Sequence, residues 1–195
     1  MQAVHPTGYL LHGHYRVQGL ACDLFAPPAN TYLLAMRWAD PHRFCILERL
    51  SVIVSVKTAI TAQRLDPLIA TFQRQYTVGE SGGGAVSILP TGVSGRAFLG
   101  MPGPTLAQLV IAGGSTAFIN GTRVADSSPF GHDPLTGLGA IGSGVSGDFI
   151  DYGRHEQFPI IFSLNEGLTV QWPAQALATG QANISFCVEW AEVSN

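Results

Sequence analysis

Histidines provide the first residues in this chain that could do chemistry. His12-Gly13-His14 sets two imidazoles at alternate positions, which an extended backbone points to the same side, as a metal site needs. The remaining ligands would have to come from dispersed histidines, namely His5, His42, His132 and His155. Because the ligands are not clustered, the pattern favours surface histidines over a metal site.

Two motifs pair a histidine with a carboxylate, which is the minimum for general-base catalysis. They are Asp40-Pro41-His42 and Gly131-His132-Asp133. Neither is accompanied by a serine or cysteine in a nucleophile context such as GxSxG, and their Asp, Pro and Gly content is typical of turns. We therefore predict turns at both motifs and assign no catalytic residue.

A carboxylate cluster near residue 150 is the last candidate for chemistry. Asp148 and Asp151, with Glu156 beyond them, could bind calcium or cleave glycosides, and with His155 they would line a cleft. The EF-hand spacing is absent, and carboxylates three residues apart in a strand rarely face one another, which favours a solvated strand edge. Gly82-Gly83-Gly84 lacks the GK[ST] ending of a phosphate loop. The sequence predicts no enzyme activity, no metal and no cofactor.

The elements that carry these residues are predicted to be β-strands. Residues 159–164 and 168–172 flank Asn165-Glu166-Gly167, which predicts a hairpin whose three-residue loop has its glycine in the left-handed conformation. The run 43–57 is apolar on both faces, which predicts a central strand covered on both sides. Near the C-terminus, apolar residues at every second position predict a sandwich strand, and they are Ile184, Phe186, Val188 and Trp190.

Shorter runs of the same kind fill the rest of the chain. Strands are predicted at 32–38, 65–76, 85–89, 96–101, 106–112 and 116–120. Residues 1–29 hold several glycines and prolines without a sustained period, which predicts an extended N-terminal arm that clasps a neighbour or frays. Residues 30–195 are predicted to form one β-sandwich domain, with a Gly/Ser/Pro-rich exposed excursion at 121–148 and weak strands around Ala140 and Phe149. The expected fold is all-β, a jelly-roll-like β-sandwich.

Composition restricts the partners of the chain. Only 12% of the residues are charged against 46% hydrophobic, which is typical of a subunit packed against others. The net charge is −3, Lys57 is the only lysine, and the arginines are dispersed, so we expect no nucleic-acid partner. Three cysteines, Cys22, Cys45 and Cys187, form no CxxC pair and predict no disulfide framework. We also expect no signal peptide and no membrane span.

Four short motifs lie along the chain in a fixed order. They are Arg43, Phe44, Ile46, Leu47, Leu50 and Val52; Ser81, Gly82 and Gly83; Asn165, Glu166, Gly167 and Val170; and Val188, Glu189, Trp190, Ala191, Glu192 and Val193. This layout resembles a group of tailed-bacteriophage virion proteins encoded beside capsid genes, which share a run like RRFxLxxLxV after an opening arm, a Ser-Gly-Gly loop after a strand, and an ending on NEGxxV and VEWAEV. The resemblance spans about residues 30 to 193 and implies a structural component of the particle with no catalytic residues.

Three hypotheses follow. The first is a capsid decoration, or cement, protein that binds the major capsid protein and neighbouring copies of itself, as a homo-oligomer on the capsid exterior of the virion, after synthesis in the host cytoplasm. The second places the same sandwich in a tail, fibre or head-tail connector. The third, from another class, is a carbohydrate-binding or hydrolytic β-sandwich that uses Asp148, Asp151 and His155.

Overall fold

The fold is built from strands alone in the part of the chain that the structure describes. The computed structural model describes residues 11–25, 30–59, 67–81, 84–85, 95–97, 105–112, 121–134, 142, 144–151, 159–172 and 180–194. Thirteen strands in these ranges, numbered β1 to β13 in chain order, form two antiparallel sheets. The prediction of an all-β sandwich is confirmed, and jelly-roll connectivity stays a prediction.

The first sheet has six strands and contains the longest strands of the chain. Its members are β1 (Leu11–Phe25), β3 (Arg43–Thr58), β6 (Gly95–Ala97), β10 (Gly144–Asp151), β11 (Ile160–Phe162) and β13 (Gln181–Ser194). Their order is β10-β3-β13-β1-β6, with β11 also paired to β3. The C-terminal strand β13 is therefore central, between β3 and β1, and the central position predicted for β3 is confirmed.

The second sheet has seven shorter strands. They are β2 (Tyr32–Trp38), β4 (Pro67–Val78), β5 (Gly84–Ala85), β7 (Ala107–Ile111), β8 (Thr122–Ala125), β9 (Gly131–Pro134) and β12 (Gly167–Gln171). Their order is β5-β7-β2-β12-β4-β8, with β9 also paired to β4. The strand predicted at 116–120 lies outside the described residues, as do Gly82 and Gly83 of the glycine loop.

The core lies between the two sheets and follows the alternation in the sequence. Ile184, Phe186, Val188 and Trp190 are each at most 1% exposed, which confirms the inner face predicted for β13. All three tryptophans are buried, and the Tyr15 ring stacks on Trp190 with centroids 5.3 Å apart. Phe72 of β4 and Phe162 of β11 meet across the two sheets, also at 5.3 Å. Aromatic contacts of this kind add to the burial that holds the sheets together.

The predicted N-terminal arm is wrong for residues 11–25, which form β1 inside the six-stranded sheet. β1 pairs with β13 from Leu11 opposite Val193 to Phe25 opposite Gln181. Two register shifts, between Leu11 and Gly13 and between Gln18 and Leu20, interrupt the alternation. An extra residue at a bulge moves the following side chains to the other face, so the period of two is lost in the sequence. Residues 1–10 and 26–29 lie outside the described part of the chain.

The predicted hairpin around Asn165-Glu166-Gly167 is also wrong, although both of its strands exist. β11 pairs with β3 in the first sheet, whereas β12 pairs with β2 and β4 in the second. The turn is therefore a corner between the layers. Its left-handed residue is Asn165, with φ 61°, and not Gly167. Glycine is needed at 167 for space, since a Cβ there would overlap the carbonyl oxygen of Met36.

The excursion predicted at 121–148 contains three strands that pair with the sandwich. β9 pairs with residues 67–70 of β4, β8 pairs with residues 73–78 of β4, and β10 pairs with β3. β8 is largely exposed, and the strand predicted around Phe149 is confirmed as β10, whereas Ala140 lies outside the described residues. Glycine and proline are tolerated at sheet edges, so the composition that suggests a loop also suits edge strands.

Candidate functional site on the outer face of the six-stranded sheet

One side of the six-stranded sheet faces away from the core and stays partly open to solvent. Along β13 the inner residues are buried, and the residues between them, from Asn183 to Glu189, are half-exposed. Register partners on β3 and β1 continue this surface. We call it the outer face and define it by Arg16, Gln18, Arg49, Ser51, Ile53, Asp148, Ser185, Cys187 and Glu189.

Four charged side chains form a row across the outer face. Arg16, Glu189 and Arg49 are register partners on β1, β13 and β3, and Asp148 of β10 is opposite Ser51, two residues along β3 from Arg49. Arg16 Nε donates to Glu189 Oε1 at 2.9 Å, and Arg49 Nη2 donates to Asp148 Oδ1 on β10 at 3.3 Å. From β10 to β1 the signs are therefore negative, positive, negative, positive. The Arg49 Nε atom is buried and has no hydrogen-bond partner.

Next to the charged row lies a shallow depression with an apolar ridge. The depression has a volume of 540 Å³, and the small polar side chains Ser51, Ser185 and Cys187 line it together with longer polar ones. A second one, of 300 Å³, lies on the β10 side of the same strand. Ile53 of β3 lines both and is 58% exposed, so the ridge between them is apolar. The prediction that β3 is covered on both sides holds at the buried Ile46 and is wrong at Ile53.

A histidine pairs with an acid beside this row. His14 Nε2 and Glu48 Oε2 are in hydrogen-bond contact, and both side chains are about one-fifth exposed, at 23% and 21%. The hydrogen bond to Glu48 raises the pKa of His14 above its ordinary value of 6.5, against an opposing effect of burial. Of the His12-Gly13-His14 motif, for which the sequence favoured surface histidines over a metal site, His14 has an acidic partner, and the side chain of His12 lies outside the described residues.

The seven-stranded sheet holds a buried charge cluster next to its exposed strand β8. Arg123 of β8 donates to Glu80, and their side chains are 7% and 0% exposed. Glu80 also accepts from the Tyr76 hydroxyl at 2.9 Å and from the Gly121 amide at 2.6 Å. The Arg123 guanidinium lies over the Tyr32 ring at 4.5 Å and near the Tyr76 ring at 5.6 Å. With hydrogen bonds and rings around both charges, this cluster fixes local structure.

A second buried carboxylate, Glu192, lies near the C-terminal end of β13. Glu192 is 0% exposed, opposite Cys45, and accepts from Arg43 Nη1 at 2.9 Å. Burial raises the pKa of Glu192, and hydrogen bonds from Thr105 and Arg43 oppose that shift. The same burial raises the pKa of the Cys45 thiol well above its usual range. Cys45 is therefore an inert core residue in the folded protein.

The predicted turn at Asp40-Pro41-His42 is confirmed. Asp40 Oδ1 accepts from the His42 amide at 2.7 Å, and Asp40 Oδ2 lies 3.6 Å from Arg43 Nε, so the carboxylate serves the turn and an ion pair. The other motif, Gly131-His132-Asp133, is a strand and not a turn, because β9 pairs with β4.

The carboxylates near residue 150 are placed on β10 at the sheet edge. Asp148 binds Arg49, and the backbone of Asp151 is opposite the same arginine in the register. His5, His155 and Glu156 lie outside the described residues. Within the described ranges, no group of three or more His, Cys, Asp or Glu residues is arranged to hold a metal ion.

Sequence reasoning missed the charged row and the Glu80–Arg123 cluster. Arg16 and Glu189 are far apart in the chain, as are Glu80 and Arg123, so no local motif marks either pair. The one usable signal for the row was the alternation in β13, because it sets Cys187 and Glu189 on the side opposite Phe186 and Val188.

No protein-family model matches the chain, and no curated protein matches its sequence. Among the described residues, no helix is long and apolar enough to cross a membrane.

Proposed function

We propose that this protein is a structural component of a bacteriophage virion, a capsid decoration protein that binds neighbouring proteins of the shell. The observation that supports the proposal is the outer face: a broad strand surface with small polar residues, an exposed Ile53 and charges already paired within the chain. Such a surface suits docking to another protein, because its core contact is apolar and its surrounding charges select the partner.

The double-layered body suits the same role. A shell component must keep its shape while many copies make repeated weak contacts, which together give strong attachment. Its low charged fraction of 12% agrees with the depletion of charge at protein interfaces. The resemblance to virion proteins, which includes Asn165-Glu166-Gly167 and the Val188–Val193 segment, supports the same class of function.

Quantitative mass spectrometry of purified particles tests the proposal. A copy number comparable with that of the major capsid protein is expected for a decoration protein. A small number of copies would move the protein to the tail, a fibre or the connector, and absence from mature particles would reject a virion role. Sugar release from a host polysaccharide that is lost in Asp148→Ala would instead favour a hydrolytic β-sandwich.

A further inference from the structure

We propose that the outer face binds the same face of a second copy of this chain, about a two-fold axis that runs along the strands between β3 and β13. The inference rests on the proposed function and names the partner of that surface. Most oligomers of identical chains are symmetric, and a two-fold contact requires a patch that is complementary to itself. The outer face meets that requirement in its charges and in its shape.

The charged row is self-complementary under this axis. A two-fold rotation along the strands reverses the order of strands in the second copy, so β10 of one copy faces β1 of the other. Asp148, whose register partner is Ser51, then lies diagonal to Arg16 of the other copy, two residues along the strands, which is within reach of a long arginine side chain. In the same way Arg49 faces Glu189 of the second copy. Because the four charges alternate in sign, each one lies opposite or diagonal to an opposite charge of the second copy, and each intrachain pair extends into a larger network.

A two-fold axis perpendicular to the strands would not bring opposite charges together. A two-fold axis across the strands, along the row itself, would set each charge against its own copy, such as Arg49 against Arg49. Like charges held face to face cost several kcal/mol and exclude that arrangement. The order of signs across β10, β3, β13 and β1 therefore selects one orientation of the dimer.

The shape of the surface agrees with this orientation. Ile53 lies on β3, and its register partner on β13 is Ser185, so the axis brings Ile53 of one copy over Ser185 of the other. Ser185 and Cys187 line the 540 Å³ depression, into which the 58% exposed Ile53 would insert. Each copy contributes one apolar ridge and one depression, so two equivalent contacts form, one on each side of the axis.

The size of the contact predicts a weak dimer. Four strands at about 4.8 Å spacing and seven residues of β13 at about 3.4 Å each give roughly 400 Å² per copy. The two copies together bury about 800 Å², which lies below the size of stable interfaces and in the range of transient ones. Association should therefore appear at high protein concentration, and in a shell it would be strengthened because neighbouring copies are held close together.

Sedimentation velocity over a range of concentrations tests the dimer. The wild-type mass should rise from 20.7 kDa toward twice that value as concentration increases. Ile53→Asp should weaken association by at least about tenfold, because it places a charge in the apolar contact. Val124→Asp is the matched control, since Val124 is 53% exposed on β8 in the other sheet. This variant should dimerise as the wild type does.

A mixing experiment separates contacts between copies from contacts within one. Glu189→Arg alone and Arg49→Glu alone each bring like charges together at the centre of the homodimer, so each should remain monomeric. Mixed, the two variants present opposite charges at all four positions and should form a heterodimer. Circular dichroism shows whether each variant is folded, and the gain of association on mixing cannot come from a folding defect.

Three results would overturn the proposal: a wild-type protein that stays monomeric at every concentration, an Ile53→Asp variant that associates as Val124→Asp does, or charge variants that do not associate on mixing. An independent check is the alkylation rate of Cys187, which should fall as the protein is concentrated, and a constant rate would also count against the dimer. Particle mass spectrometry tests the virion role separately, because a chain absent from particles can still dimerise.

Discussion

Replacing Arg123 with methionine should destabilise the protein more than any other single charge removal in the described residues. The substitution leaves Glu80, which is 0% exposed, without its cation. An unpaired buried charge costs about 3–5 kcal/mol, and part of that loss comes from the guanidinium contact with the Tyr32 ring. This is a large share of the roughly 5–15 kcal/mol by which a domain is stable.

Arg74→Met is the matched control for this prediction. Arg74 also binds a carboxylate, Asp126, through Nε at 2.7 Å and Nη2 at 3.2 Å, and it also lies over an aromatic ring, Phe72, at 4.8 Å. It differs in exposure, because its side chain is 57% exposed and solvent screens the pair. Its removal should leave stability close to that of the wild type.

Urea unfolding followed by tryptophan fluorescence measures both variants, since Trp38, Trp172 and Trp190 are buried and report loss of the core. The double variant Glu80→Gln/Arg123→Met should recover part of the loss, because it removes the unpaired charge. If Arg123→Met and Arg74→Met shift the midpoint equally, the reasoning from burial is wrong. The same holds if the double variant is as unstable as the sum of its single changes.

Three further predictions concern single sites. The raised pKa of His14 means that its pair with Glu48 stabilises the fold below pH 6.5, and that this stabilisation is lost as pH rises through the raised value. The melting-temperature difference between wild type and His14→Gln should therefore shrink with rising pH, and one that grows would contradict the assignment. Gly167→Ala should lower the melting temperature by roughly 4–8 °C, because the new Cβ would overlap the Met36 carbonyl oxygen. Such an overlap costs about 2 kcal/mol, and each kcal/mol lowers the melting temperature of a chain of this size by about 2–4 °C. An unchanged melting temperature would show that β12 moves away from β2 freely. Native-state alkylation with peptide mapping should modify the half-exposed Cys187 well before the buried Cys45, and equal rates would mean that the core opens.

The sequence predicted the strands well wherever the alternation is unbroken. The inner face of β13, from Ile184 to Trp190, follows from a period of two that the strand does not interrupt. The position of β2 follows instead from a short apolar run that ends before Asp40-Pro41. β1 was missed because its two register shifts against β13 break that period within fifteen residues. A bulge is decided by the partner strand, which local sequence does not reveal.

Sheet membership could not be predicted from the same signal. The residues around Asn165-Glu166-Gly167 have the same apolar pattern whether the flanking strands pair with each other or belong to different layers. Pairing of β11 with β3 and of β12 with β2 and β4 decides the matter, and those partners are distant in the chain. The charged row could not be predicted for the same reason, because Arg16, Arg49 and Glu189 become neighbours only through the strand order.

The two sheets treat their outward sides differently, and the difference argues for a role of the outer face in recognition. On the inner strands β2 and β12 of the seven-stranded sheet, side chains on alternating sides are buried, including Leu33, Ala35 and Thr169, and the exposed pair Arg74–Asp126 lies between β4 and β8 at the edge. The six-stranded sheet instead leaves Arg16 and its charged row in contact with solvent. Exposed ion pairs within one chain add little to stability, so alternation of sign across four strands has small value for the fold alone. It has a large effect on which surfaces can approach and in which orientation, and this is the property that a subunit of a repeating shell requires.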